Sequence, residues 1–181
     1  MTCSILIAYA TKNGSTREVA DSLAAALREH DLDTATLPAA EVDDLSPYDG
    51  VVDGSCLHTG RCHPDALYFL KRHRSSLETL PVAVFAMGPR TMEAKDVAQS
   101  RAQLDRALAK VSGVDPFAVT IFGGVLDPRK LHFPFNRMPA SDARDWDAVH
   151  GWAGDIAEGL TYGKPAQRPR DLRSELQQTP R

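Results

Sequence analysis

A hydroxyl-rich segment follows the first apolar run of the chain and could bind a phosphate group. We call it the phosphate loop; its residues are Thr11, Lys12, Asn13, Gly14, Ser15 and Thr16. Hydroxyl groups and the free N–H groups at a helix start both attract phosphate oxygens. The segment has one glycine, so it matches neither the P-loop nor the three-glycine dinucleotide pattern. The alternative interpretation is an ordinary helix N-cap formed by Ser15 or Thr16.

Two further segments with glycine and small polar residues follow apolar runs. The second loop contains Ser55, Cys56, Leu57, His58, Thr59, Gly60 and Arg61. The third loop contains Met87, Gly88, Pro89, Arg90 and Thr91. Ligands of open parallel sheets bind outside the carboxyl ends of the strands, and glycine lets a flat ring approach the backbone closely. We therefore expect these two loops and the phosphate loop to form one site.

Apolar runs of strand length alternate with segments of helical periodicity, which is typical of βαβ units and a parallel sheet. The predicted strands are Ser4–Ala10, Thr34–Leu37, Gly50–Ser55, Pro81–Met87 and Phe117–Gly123. The predicted helices are Thr16–His30, Pro64–Arg74, Asp96–Val111 and Asp145–Leu160. The pattern predicts a doubly wound α/β fold with helices on both faces of the sheet. His30, His73 and His150 lie in these helices, where we expect them on the surface.

Residues 125–141, which we call the insert, follow neither periodicity. Long connections of this kind usually carry a function. The insert places four apolar residues among basic ones, namely Leu131, Phe133, Phe135 and Met138. This mixture suits an apolar acceptor, an anionic substrate edge or a lipid headgroup layer. The alternative is that the aromatic rings close one end of the core.

The chain has 181 residues and a net charge of -3, which fits one domain at residues 1–163. Residues 164–181 hold five basic and two acidic residues, and their composition predicts a disordered tail. The remaining acidic body argues against nucleic acid as a ligand. No membrane span or secretory signal is evident, and three cysteines cannot all pair within one chain. We therefore expect a cytoplasmic protein, which could touch the inner membrane face through the insert or the tail.

The chain resembles flavodoxin-like FMN proteins, in particular the branch of menaquinone-dependent protoporphyrinogen oxidases, over residues 4–162. The resemblance rests on the apolar run at residues 5–10 leading into the phosphate loop and Arg17-Glu18, supported by residues 48–52, 69–73 and 145–147. It implies a five-stranded parallel sheet in the order 2-1-3-4-5. It also implies noncovalent FMN, with the phosphate on the phosphate loop and the ring between the second and third loops.

Two features depart from that family pattern. Flavodoxins usually stack an aromatic side chain on the flavin, whereas the second loop has His58 and Thr59 at that place and the third loop has Arg90. Asp53 puts a carboxyl group inside the third predicted strand, where relatives carry an aliphatic residue. A buried carboxylate needs a partner or a proton. Asp53 could be a functional acid, or a structural residue bonded to nearby hydroxyl or N–H groups.

The residues leave three functions open. The leading hypothesis is an FMN-dependent oxidoreductase that passes electrons between a small organic substrate or quinone and a donor. The alternatives are a flavodoxin-type electron carrier without turnover of its own, and an interaction module that has lost FMN. Neither a metal site formed by His58, Cys62 and His63 with Cys56 nor a Cys56–Cys62 redox pair is favoured, because the spacing fits neither chemistry.

Overall fold

The computed structural model describes residues 2–58 and 60–162, apart from the side chains of residues 135, 161 and 162. Thr59 and the tail at residues 164–181 therefore lie outside the described residues. The domain boundary at residue 163 and the disorder of the tail stay predictions.

A parallel sheet of five strands forms the centre of the fold. The strands of the described residues are β1 (Ser4–Ala10), β2 (Asp33–Pro38), β3 (Gly50–His58), β4 (Arg61–Cys62), β5 (Val82–Met87), β6 (Ala118–Phe122), β7 (Val125–Leu126) and β8 (Ser141–Asp142). The spatial order is β2-β1-β3-β5-β6, and every neighbouring pair in this path is parallel. Counted without the short β4, the order is 2-1-3-4-5, which confirms the predicted fold.

Helices cover both faces of the sheet. They are α1 (Ser15–Glu29), α2 (Pro64–Arg72), α3 (Arg74–Leu77), α4 (Ala94–Leu108) and α5 (Trp146–Tyr162). Residues of α1 and α5 pack in one hydrophobic cluster, and residues of α2, α3 and α4 pack in another on the opposite face. Burial on both faces explains why β1 and β5 are continuous apolar runs. None of the helices described is long and apolar enough to cross a membrane.

The structure corrects the predicted second loop. Strand β3 continues to His58 and pairs with β4 in antiparallel, so that Leu57 lies opposite Cys62. Gly60, which directly precedes β4, has a φ of +77°. Glycine and polar residues are typical of both a loop and a tight hairpin turn, which is why the sequence alone did not reveal the hairpin.

The predicted helix Pro64–Arg74 is divided into α2 and α3 at His73. The prediction that His73 lies on the surface is wrong, because its side chain is buried and its Nε2 lies 3.0 Å from the carbonyl oxygen of Val42. His30 and His150 are exposed, as expected.

Asp53 lies in the middle of β3, between Ala8 of β1 and Val84 of β5. It is 2% exposed, and its Oδ1 has no hydrogen-bond partner among the described residues. Burial raises the pKa of the Asp53 carboxyl group well above its usual range. Oδ1 lacks the hydroxyl or N–H partner that the sequence analysis considered. Burial without such a partner favours the protonated, neutral form of the carboxyl group.

The substitution Asp53→Asn should increase the free energy of unfolding at neutral pH. In the wild type the native carboxyl group holds its proton, while the unfolded one loses it above about pH 3.9. Stability therefore falls as pH rises, by about 1.4 kcal/mol per pH unit, until the native pKa is reached. The variant should lack this slope in urea unfolding measured from about pH 4 to about pH 8.

Asp115→Asn is the matched control, because Asp115 is exposed and the substitution makes the same change of charge. It should keep the pH slope of the wild type. A slope that persists in Asp53→Asn would contradict the protonated assignment. Loss of turnover at unchanged stability would instead identify Asp53 as a functional acid.

Candidate functional site

A cleft of about 970 Å³ lies at the carboxyl ends of the parallel strands. All three loops singled out in the sequence reach it, as predicted for a switch-point site. The loop residues that line it are Lys12, Asn13, Leu57, His58, Gly60, Gly88, Pro89 and Arg90. The volume is in the range of about 300–1,000 Å³ that is usual for small-molecule sites.

The phosphate loop makes a tight turn between β1 and α1. Gly14 caps the helix with a φ of +94°, and its N–H donates to Thr11 Oγ1 at 2.9 Å. An added Cβ at Gly14 would meet open space, so the positive φ and not crowding favours glycine there. No side chain caps α1, so the interpretation of Ser15 or Thr16 as an ordinary N-cap is wrong.

Thr16 lies in the first turn of α1 with its side chain fully buried. Its Oγ1 has no hydrogen-bond partner within residues 2–58 and 60–162. A buried hydroxyl without a partner costs about 1–3 kcal/mol, so such groups are uncommon in native proteins. The hydroxyl is next to the unpaired N–H groups of a helix start, which are donors suited to an anion.

The hairpin of β3 and β4 forms a second wall. Lys12 Nζ lies 3.1 Å from His58 Nε2, and since an ammonium group can only donate, His58 is the acceptor. This bond links the phosphate loop to the hairpin. Gly60 brings the turn close to α4, where an added Cβ would lie 3.4 Å from Gln103 Nε2.

Seven of the described residues predicted for the site do not line the cleft: Thr11, Gly14, Ser15 and Thr16 of the phosphate loop, and Ser55, Cys56 and Met87. Ser55 is buried; its hydroxyl donates to the Cys56 carbonyl and accepts from His63 N–H. Met87 is buried in the cluster beneath α1 and α5, and Cys56 packs against that cluster from its edge. The side chains of Ser55, Cys56 and Met87 lie on the faces of the sheet, with Cys56 and Met87 on the side of α1 and α5. They support the loops and do not line the cleft.

Cys56 and Cys62 do not form a disulfide. Cys62 packs with the α2 and α4 cluster, whereas Cys56 packs with the opposite one. Burial raises the pKa of the Cys62 thiol to about 11, so it is a poor nucleophile at neutral pH. Within the described part of the chain, no group of three His, Cys, Asp or Glu residues could hold a metal ion.

The third loop is fastened to the exit of β6 by backbone hydrogen bonds. Gly88 N–H donates to the Phe122 carbonyl, and Gly124 N–H donates to the Pro89 carbonyl at 2.8 Å. An added Cβ at Gly124 would lie 2.9 Å from the Gly88 carbonyl oxygen. The close approach of the two backbones therefore requires glycine at 124.

The insert forms another wall of the cleft. Its first and last residues pair as β7 and β8, and the segment between them turns back over the site. The insert residues that line the cleft are Val125, Leu126, Asp127, Lys130, Leu131, His132, Phe133 and Met138. Phe133 is 69% exposed, so the interpretation that its ring closes the core is wrong. The side chain of Phe135 lies outside the described part of the structure.

Arg144 fastens the end of the insert to α1. Its side chain is 12% exposed and pairs with Asp142 and with Glu18 in the first turn of α1. The guanidinium group also lies 4.9 Å from the centroid of the Trp146 ring. These contacts raise the pKa of Arg144 further above its usual range, so the link is charged at every physiological pH.

Helix α4 supplies a polar wall that the sequence analysis missed. The residues are Asp96, Gln99, Ser100 and Gln103. Their spacing of three, four and seven residues puts them on one face of the helix. That spacing was visible in the sequence, but a polar stripe on an amphipathic helix normally faces solvent.

The charges around the cleft are mainly positive. Lys12, Arg90 and Lys130 carry positive charge. The carboxylates have local partners: Asp127 accepts from Arg129, which lowers the pKa of Asp127, and Asp96 accepts from the Thr91 hydroxyl. An anionic group is therefore favoured in the cleft.

The chain is similar in sequence to known proteins. A family model described as a flavodoxin domain matches residues 6–138. The chain is also similar to protoporphyrinogen IX dehydrogenase (quinone) of Escherichia coli K12, with 33% identity over 84 residues. That match covers 45% of this chain and 46% of the relative, so the chain matches about half the length of the curated relative.

Solved structures show the same fold. A mutant of flavodoxin from Pseudomonas aeruginosa has a TM-score of 0.56 at 17% identity, covering 87% of this chain and 99% of that one. Rubredoxin oxygen:oxidoreductase of Desulfovibrio gigas has a TM-score of 0.57 at 16% identity, covering 90% and 37%. At these identities the likeness shows the fold alone.

Proposed function

Because the chain belongs to the flavodoxin domain family, we propose that it binds FMN noncovalently in the cleft and acts as an oxidoreductase. It would pass electrons between a small organic substrate or quinone and a donor. The observation that carries the proposal is the buried Thr16 hydroxyl, which has no partner among the described residues and lies where a phosphate would bind.

The donor groups of the phosphate loop fit a phosphate monoester. Thr16 can donate its hydroxyl proton, and the Thr11 hydroxyl, which already accepts from Gly14, still has its own proton to donate. The N–H groups at the start of α1 add further donors with a favourable dipole. A phosphate that accepts a hydrogen bond from the buried Thr16 hydroxyl would remove the cost of leaving that hydroxyl unpaired. This gain adds to the electrostatic attraction between the phosphate and the loop.

The other end of the cleft fits a flat aromatic ring system. Gly60, Gly88 and Gly124 are among the residues that line it, and they add no side chain to the lining. The second and third loops contain no aromatic residue, but Phe133 of the insert lines the same cleft. We propose that Phe133, with Leu57 and His58, takes the place of the aromatic ring that flavodoxin loops usually provide.

FMN, when bound, supplies the one- and two-electron chemistry that no side chain of this cleft can perform. The protein would orient the ring and stabilise the charge that reduction places on it. Arg90 lines the cleft and would take that role, and the Lys12–His58 bond holds the hairpin in place. Gln99, Ser100 and Gln103 of α4 would hydrogen-bond a substrate beside the ring.

A second candidate is an electron carrier, which membership of the flavodoxin family favours. The cleft argues for an enzyme, because α4 and the insert enclose space for a second small molecule. Purified protein should show a flavin visible spectrum, or bind added FMN stoichiometrically. Steady-state turnover of quinones or porphyrinogens would support the enzyme, whereas one-electron exchange alone would support the carrier. If the protein is colourless and binds no FMN, the third hypothesis, an interaction module without a cofactor, would be supported.

The substitution Thr16→Val should weaken FMN binding by about 1–3 kcal/mol, because it removes a donor to a charged group and keeps the side-chain shape. Flavin fluorescence quenching gives the dissociation constant. Affinity for riboflavin, which lacks the phosphate, is the internal control and should change little. An unchanged dissociation constant for FMN would place the phosphate elsewhere.

Phe133→Ser should leave the free energy of unfolding within about 0.5 kcal/mol of the wild type, because the ring is exposed. Turnover should fall, since the ring forms part of the cleft. Sedimentation with anionic vesicles tests whether membrane association falls as well. Tyr68→Ser is a control, because Tyr68 is an exposed aromatic residue on α2. A destabilised but fully active Phe133→Ser variant would contradict the functional role.

A further inference from the structure

The insert touches the phosphate loop through Lys130. Lys130 ends a short 3₁₀ turn at Pro128–Lys130, and its Nζ donates to the Asn13 carbonyl oxygen at 2.8 Å. The two residues are 117 positions apart in the sequence. The contact therefore brings a positive charge from the insert to the loop that ends at the buried Thr16 hydroxyl.

The charge of Lys130 is not neutralised by this contact. An ammonium group has three donors, and the Asn13 carbonyl takes one of them. Among residues 2–58 and 60–162, Lys130 is in none of the ion pairs, whereas the adjacent Arg129 pairs with Asp127 at 3.0 Å. Two donors and a full charge at Lys130 thus remain for a ligand.

The other lysine of this region is engaged elsewhere. Lys12 lies in the phosphate loop itself, but its Nζ bonds to His58 on the hairpin. Asn13, which follows Lys12, is the residue whose backbone carbonyl holds the Lys130 ammonium. The Lys12 ammonium is therefore held at the hairpin, and the Lys130 ammonium is held at the phosphate loop.

We propose that Lys130 is the cationic partner of the cofactor phosphate, an inference that rests on the proposed binding of FMN. Its contact makes the cleft select phosphorylated flavin over riboflavin. Because the cleft-lining residues Leu131, His132 and Phe133 directly follow Lys130, the phosphate also anchors the insert wall. Cofactor binding and the arrangement of the substrate wall are thereby coupled.

The test measures the dissociation constants of FMN and riboflavin for the wild type, Lys130→Met, Lys130→Arg and Arg129→Met. Lys130→Met should weaken FMN binding by about tenfold and leave riboflavin binding unchanged, the scale of one charge-assisted contact. It should also reduce the dependence of FMN affinity on salt. Lys130→Arg should retain most of the affinity, because the charge is kept.

Arg129→Met is the matched control, because it removes one positive charge from the same turn at an exposed residue. It should leave the FMN affinity nearly unchanged. An equal loss in Lys130→Met and Arg129→Met would mean a general charge effect and overturn the inference. Equal losses for FMN and riboflavin in Lys130→Met would mean a structural role and overturn it as well.

Hydrogen exchange of the insert gives a second readout. FMN should slow amide exchange in residues 129–138 of the wild type, and riboflavin should do so much less. In Lys130→Met the difference between the two flavins should vanish. An insert that FMN protects equally in both proteins would overturn the coupling. A wild-type protein that binds neither flavin would instead overturn the proposed function, and this inference with it.

Discussion

The reversal of strand order beside β1 determines where this chain can bind a ligand. From β1 the chain moves to β2 on one side and then crosses to β3 on the other. The segments that leave β1 and β3 must diverge to opposite faces, so a crevice opens between them at the carboxyl edge. The tight Gly14 turn and the β3–β4 hairpin both lie at this crevice, and the start of α1 directs its free N–H groups into it.

The insert turns that crevice into a cleft with a lid-like wall. It follows β6, its ends pair as the separate two-stranded sheet of β7 and β8, and three contacts in or beside it fix its position. The Gly124 backbone joins the third loop, Lys130 joins the phosphate loop, and Arg144 joins the first turn of α1. Each contact reaches a different segment of the crevice. A ligand in the cleft would consequently touch groups whose positions depend on one another.

The sequence predicted the sheet well because the parallel strands are buried on both faces. Ser4–Ala10 matches β1 at both ends, since an uninterrupted apolar run changes abruptly to polar residues there. The β3–β4 hairpin escaped prediction because a two-residue strand has no periodicity. The pairing of β7 with β8 escaped it because the partners are separated by the whole insert. The α4 wall was missed because its polar stripe faces a cleft formed by distant segments.

Asp53 and Thr16 each have a buried side-chain polar atom without a hydrogen-bond partner among the described residues. The free-energy cost of that burial is offset differently at the two positions. Asp53 lies within the sheet, where no ligand can reach it, so its carboxyl group retains a proton. Thr16 lies in the first turn of α1, and a ligand bound at the start of that helix would pair with its hydroxyl. A ligand that bonds to the native hydroxyl but not to the unfolded chain stabilises the fold by mass action. With the proposed FMN bound, the hydroxyl of Thr16 would link the stability of the domain to occupancy of its phosphate loop.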